Sequence, residues 1–194
     1  TGCAAGLVAC AFMRLLRFVQ ALAWPPATTY LAAIAAASPL ARVLVPTLAG
    51  VMVMVLWLAT RQKLSGHGTP GVIEAIWNRK GELALPPSLL RDASSIVAVS
   101  MGASLGREGA LIQTSAATGS WLSRRFHIAP EQARLLVACG ASAGIAAAYN
   151  VPIGASVFGL EVLLGSFALE LFGPIVVCCV SATIVSRIMI EDHA

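Results

Sequence analysis

The chain breaks its apolar runs in places where a simple membrane-spanning helix would continue. Apolar segments cover roughly residues 4–24, 29–60, 93–105, 110–122, 134–149, 151–168 and 171–190. A helix that crosses the hydrocarbon core needs about 20 apolar residues, and several of these runs are shorter. The second is interrupted by Pro39, Arg42 and Pro46, which predicts two helices there. The breaks fall at Gly66-His67-Gly68-Thr69-Pro70, at Gly106 to Gly109, and at Asn150-Val151-Pro152. Irregular backbone at bilayer depth is tolerated only where it is buried in protein or lines a water-filled cavity. Short half-helices whose N-termini converge near the midplane are the pattern of inverted-repeat transporters and pores. Pro70 and Pro152 each suit the first position of such a half-helix, where a missing N–H matters little.

Composition places all this in a membrane. The 194 residues are 58% hydrophobic and 11% charged, with mean hydropathy +0.82, whereas a soluble domain carries about 25% charged residues. The expected fold is an all-α integral membrane bundle of about eight helices, many of them short, tilted and broken. Arg and Lys fall mainly at segment ends (Arg14, Arg17, Arg61, Lys63, Arg79, Lys80, Arg124, Arg125, Arg187). That distribution suits headgroup anchoring, and no basic run interleaves with aromatics as a nucleic-acid footprint would. Cys3, Cys10, Cys139, Cys178 and Cys179 lie in apolar stretches without metal-ligand spacing, so they read as small buried hydrophobes and neither metal nor cofactor is expected. The chain starts at Thr1 without a methionine, as a fragment or processed form would. Its first apolar stretch holds Arg14 and Arg17, lacks a well-placed small-residue cleavage site, and is not read as a signal peptide.

Arg107-Glu108 are the only charged residues between Ala93 and Trp121. A charge at bilayer depth costs roughly 2.5–3.5 kcal/mol on insertion scales, so such groups face a cavity or a partner. Sequence neighbours do not face one another on a helix, and the two charges are therefore expected to have separate partners. Gly106 and Gly109 allow close backbone approach, and N–H groups at the start of the next helix make an anion site. Glu108 stands where a mobile anion would otherwise sit. Between the runs, the polar stretch 61–91 is expected to hold one short helix, about Pro70–Trp77. A second polar connector spans Ser123–Arg134, with Pro130 opening a helix and Glu131/Arg134 spaced as an ion pair. Gly102/Gly106 and Gly140/Gly144 sit four apart, which suits close helix packing.

These residues resemble the CLC family of chloride channels and chloride/proton exchangers. Gly106-Arg107-Glu108-Gly109 is similar to that family's gating-glutamate motif. Gly66-His67-Gly68-Thr69-Pro70 resembles its first anion loop, usually Gly-Ser-Gly-Ile-Pro. The small-residue run Gly140–Ala148, closed by Tyr149-Asn150-Val151-Pro152, is similar to the stretch ending in Phe-Asn-Ala-Pro. Val157-Phe158-Gly159-Leu160-Glu161 follows at the family's spacing to its paired glutamates. Order and distances of all four elements match over essentially the whole chain. The resemblance implies that residues 1–194 are the N-terminal half of the inverted repeat. A second half, in the same or another chain, would supply the remaining Gly-x-Phe-x-Pro loop and a pore tyrosine. It also implies a homodimer in the lipid bilayer, with the helices around 152–165 and 171–188 at the contact, and the inner membrane as location if the source is bacterial.

The implied function is passive transport of chloride or a related inorganic anion through a voltage- or pH-gated channel. Glu108 would be the gate, and Gly66, His67, Gly68, Thr69, Arg107, Gly109 and Phe158 would line the anion site. Two departures bear on mechanism. His67 replaces the loop serine and could donate N–H to an anion, more strongly when protonated. Glu161 matches the first paired glutamate, with a possible role in a proton or water path, but the second is Val162, which cannot carry a proton. That favours a channel over the alternative, an anion/proton exchanger. Arg107 is read either as touching the anion or as paired with a carboxylate such as Glu161, and Tyr149 is read as packing. A remote alternative is an intramembrane serine protease, since Gly102–Gly106 and Gly140–Gly144 both fit Gly-x-Ser-x-Gly. Such an enzyme needs a histidine on a neighbouring spanning helix, and His67, His127 and His193 all lie outside the spanning segments.

Overall fold

The computed structural model describes residues 1–60, 68–166 and 168–190. Among them there are nine α-helices and one π-helical turn, in the order α1 Gly2–Ala23, α2 Tyr30–Ala36, α3 Pro39–Thr60, α4 Thr69–Asn78, α5 Leu85–Ser100, α6 Glu108–Arg125, α7 Pro130–Tyr149, α8 Pro152–Phe158 with the π-helical turn Gly159–Leu164, and α9 Leu169–Met189. No strand occurs among the described residues. The fold is all-α, as the segment pattern predicts. Among the described residues three helices, α1, α3 and α9, are long and apolar enough to cross a membrane.

Boundaries depart from the sequence reading in three places. The break in the second apolar run falls at Ala37–Ser38, and Pro46 is absorbed inside α3. The third run is not a helix of its own. Its helix starts eight residues earlier, at Leu85, with Pro86 and Pro87 in the first turn where their missing N–H groups are harmless. That helix then stops at Ser100, so Gly102 and Gly106 sit in a loop and do not form a packing pair. Gly102, at φ +109°, abuts Trp24 and Pro46, while a side chain at Gly106 would meet nothing.

Helix α7 is the hub. Its stretch from Val137 to Ala148 is almost entirely buried and, apart from Val137 and Ile145, is built of Ala, Gly, Ser and Cys. A helix apolar on every side belongs inside a bundle. It packs on α6, α9, α1 and α8, and small side chains let the backbones come close. A Cβ at Gly140 would run into the Ser115 carbonyl oxygen of α6, one at Gly144 into the Ser115 side chain, and one at Gly119 into the Leu136 carbonyl of α7. On the other flank, Thr183 and Ser186 of α9 donate to the carbonyls of Ala146 and Ala147, at 3.3 and 2.8 Å. These bonds fix the end of α7 against α9.

Broken helices leave unpaired backbone groups, and side chains meet several of them. At the end of α5, Trp24 Nε1 donates to the Ser100 carbonyl at 2.9 Å and Tyr30 Oη to the Val99 carbonyl at 3.2 Å. Those are carbonyls a helix cannot satisfy internally at its C-terminus. The turn after α4 is tied to α6 in the same way: Ser120 Oγ donates to the Gly81 carbonyl and accepts from Leu83 N–H. By contrast Glu131 and Arg134 do not pair, since the ion pair among the described residues is Arg79–Glu74 at 2.7 Å.

The α6–α7 contact gives a direct test. Gly140→Val is expected to force the two helices apart at a cost of about 1–3 kcal/mol and to lower the thermal midpoint of the detergent-solubilised protein. Gly50→Ala on α3, where a Cβ meets nothing within 4 Å, should leave the midpoint unchanged or slightly raised. Equal midpoints for the two variants would show that the close approach carries no stability.

Candidate functional site at the converging helix starts

The starts of α4 and α6 meet. Gly68 is the N-cap of α4 and holds φ +62° and ψ −138°, a conformation that strains any side-chain-bearing residue. A Cβ there would also lie 3.0 Å from the Cα of Gly109, the second residue of α6. Glycine at both positions thus brings two helix N-termini into contact. Thr69 opens α4 beside this point, and Pro70 is in its first turn. Gly66 and His67, the other expected members of the loop, lie outside the described residues.

A buried amide holds the loop in place. Gln113, one turn into α6, is 4% exposed, and its Oε1 accepts the Gly68 N–H at 2.9 Å. That N–H is therefore turned to Gln113. Gln113 also lines a polar cavity of about 110 Å³ together with Glu74, Arg79, Glu82 and Arg91. Sequence reasoning passed over it, although a lone amide inside the run 110–122 was visible.

Arg107 and Glu108 do not have separate partners, contrary to expectation. Both engage Tyr149, the last residue of α7. Tyr149 Oη donates to Glu108 Oε1 at 3.0 Å, and the Arg107 guanidinium lies over the Tyr149 ring, 5.6 Å from its centroid. One amphipathic aromatic thus serves two adjacent charges, by its hydroxyl and by its face. Pairing of Arg107 with Glu161 does not occur. Glu161 is exposed on the π-helical turn, next to exposed Val162. Phe158 ends α8 half-buried and packs against the cluster of Val72, Ile76, Ile112, Val137 and Leu163, which connects it to the first turns of α4 and α6. Tyr149 is more than packing, and the signal for it was its position beside the Asn150-Val151-Pro152 break.

Asp92 is a second group the sequence reading missed. It sits on α5, 5% exposed, and accepts from Thr114 Oγ1 of α6. Its other oxygen has no partner. Placing the third helix at 93–105 left Asp92 in a connector, where a carboxylate draws no attention.

Neither Gly-x-Ser-x-Gly match has the makings of a nucleophile. Ser142 is fully buried against Gly159, with no hydrogen-bond partner for its hydroxyl. Ser104 lies in the loop before α6. Among the described residues the one histidine is His127, beyond the opposite end of α6. The protease alternative has no support here.

Comparisons with known proteins agree with this geometry. A family model described as voltage gated chloride channel matches residues 47–194. A putative chloride channel protein ClcB-like from Ralstonia nicotianae is 41% identical over 193 residues, covering 96% of this chain and 44% of that protein. The voltage-gated ClC-type chloride channel ClcB of Yersinia pseudotuberculosis is 35% identical over 150 residues, 76% of this chain and 36% of that one. A crystal structure of a slow cyanobacterial Cl−/H+ antiporter superposes with a TM-score of 0.76 at 24% identity, over 97% of this chain and 45% of its own. The chain thus spans less than half the length of these relatives. With apolar spanning helices, two helix starts meeting at Gly68 and Gly109, and a family match over most of its length, the chain is an integral membrane protein of the CLC, or voltage-gated chloride channel, family.

Proposed function

We propose that residues 1–194 form the N-terminal half of a CLC anion pathway and that the whole protein is a passive chloride channel gated by Glu108. The observation that carries this reading is the meeting of the α4 and α6 starts at Gly68 and Gly109, with Glu108 beside them. Helix N-termini present positive partial charge without a mobile cation, so an anion can bind and still leave. Backbone N–H groups around Gly66, Thr69, Arg107 and Gly109 would hold the ion, with Gly68 shaping the loop while its own N–H is kept by Gln113, the imidazole of His67 as a side-chain donor and Phe158 lining the route. Ionised Glu108 would occupy the outer position and block; protonation, or displacement by an incoming anion, would release it. The second half of the repeat would complete the site, and two copies would pair through 152–165 and 171–188.

Val162 supports the channel over the exchanger, since a valine cannot relay a proton. Liposomes carrying the full-length protein, read by chloride and pH electrodes together, should show anion efflux without stoichiometric proton movement. Proton uptake locked to anion exit would replace the channel by an exchanger, with Glu161 the first suspect.

The gate reading makes a signed prediction. Flux through the unaltered protein should rise as pH falls, because protonated Glu108 no longer competes with the anion, and Glu108→Gln should remove that dependence. Dependence that persists in Glu108→Gln and also in Glu108→Gln with His67→Ser would overturn the gate.

Gln113 gives a third test. Gln113→Leu strips the acceptor from the Gly68 N–H, and a buried donor left unpaired costs about 1–3 kcal/mol. Flux should fall about tenfold or more, with the protein still expressed and its thermal midpoint lowered by a few degrees. Unchanged flux would mean that the loop is held by other contacts.

A further inference from the structure

Resting on Glu108 as the gate, we propose that Tyr149 is a latch: its hydroxyl holds the ionised gate at the end of α7 and so keeps part of the population open at neutral pH. The bond is specific. Among the described residues, the hydrogen bond of the Glu108 carboxylate is the one from Tyr149 Oη, at 3.0 Å, and no side chain caps the start of α6. A hydroxyl that donates to a carboxylate stabilises its charged form in place. The ionised gate therefore has a second resting position besides the helix start.

The latch is built on rigid parts. Tyr149 ends α7, the helix on which α6, α9, α1 and α8 pack, and the next residue, Asn150, closes that helix in the left-handed conformation. Arg187 of α9 donates from Nε to Asn150 Oδ1 at 2.8 Å, which pins the cap. The Arg107 guanidinium lies over the ring, 5.6 Å from its centroid, and its attraction to the aromatic face helps hold the ring in place.

Among the described residues few other charged groups reach this point. Besides Arg107 and Tyr149, the elements packed on α6 carry Asp92 on α5, which bonds Thr114 further along α6, and Arg91, which faces the cavity beyond Gln113. Glu74 of α4 pairs with Arg79. On α1, Arg14 donates to the Met189 carbonyl and Arg17 has a partner of its own. On α7, Glu131 and Arg134 lie at the opposite end from Tyr149.

Tyr149→Phe keeps the ring and deletes the donor. Anion flux from liposomes would be measured at neutral and acidic pH for the full-length protein, Tyr149→Phe, Glu108→Gln and the double variant. The latch requires Tyr149→Phe to lower flux at neutral pH and leave acid flux nearly intact, so that the acid-to-neutral ratio rises about tenfold, the size expected for a hydrogen bond to a charged group. In Glu108→Gln, adding Tyr149→Phe should change nothing. An equal loss in both backgrounds and at both pH values would make Tyr149 a packing residue and overturn the latch, as would an unchanged ratio in Tyr149→Phe. Failure of the underlying gate has its own signature: Glu108→Gln combined with His67→Ser would then keep the pH dependence of the unaltered protein.

Discussion

The close approach of α6 to α7 is the constraint on which the rest depends. Three glycines, Gly119, Gly140 and Gly144, remove the side chains that would hold the two backbones apart. The distance between these helices then fixes two further things. It sets where α6 begins, and so where Glu108 and Gly109 stand relative to the α4 start at Gly68. It also places the last residue of α7, Tyr149, within hydrogen-bond reach of the first residue of α6. Packing of small residues in the middle of the bundle thereby sets polar geometry at its edge. A bilayer offers no hydrophobic drive for helix association, so van der Waals contact of this kind has to supply it.

A second requirement follows from breaking helices at membrane depth. Each break exposes backbone groups that lipid cannot hydrogen-bond, and each unsatisfied one costs several kcal/mol. The chain answers with aromatic and polar side chains borrowed from other elements. Trp24 and Tyr30 take carbonyls at the end of α5, Ser120 takes both a carbonyl and an N–H of the turn after α4, and Gln113 takes the Gly68 N–H. Polar residues scattered through apolar runs are thus the other half of the breaks. Ser115 and Ser142 are exceptions: their hydroxyls are buried without a partner, each lodged against a helical glycine, Gly144 and Gly159, where little beyond a hydroxyl fits.

How much of this was legible in the sequence depends on the range of the interaction. Breaks at Gly and Pro, the two helices of the second apolar run, the opening of α7 at Pro130 and the close-packing pair Gly140/Gly144 are local signals, and all were readable. Gly68, Thr69 and Gly109 could be placed at helix starts because Gly and Pro impose backbone geometry on their own. What escaped was set by tertiary partners. The start of α5 was hidden because Arg91 and Asp92 look like connector residues until α6 supplies Thr114. Gly102 and Gly106 passed for a packing pair because a spacing of four does not reveal that the helix stops at Ser100, before either of them. Tyr149 looked like packing because nothing within its own helix shows that its hydroxyl points at a carboxylate 41 residues away.

The electrostatics of α6 give the proposed gate its balance. The helix carries Glu108 in its first turn and Arg124 and Arg125 in its last, an arrangement that complements its dipole at both ends. A carboxylate at a helix N-terminus gains about 0.3–1 kcal/mol, and up to about 2 where partly buried. A hydrogen bond from a neutral hydroxyl to a charged acceptor is worth about 1.5–3 kcal/mol. On the proposed reading these are the rewards of the two positions open to ionised Glu108, over the helix start or against Tyr149, and they are of similar size. A gate needs that parity. If the helix start alone attracted the carboxylate, an incoming anion would have to displace it against the full electrostatic gain; if the tyrosine alone held it, the path would never close. Adjacent helix ends that offer comparable partners let a single side chain switch on a change of protonation or a competing anion, without any helix having to move.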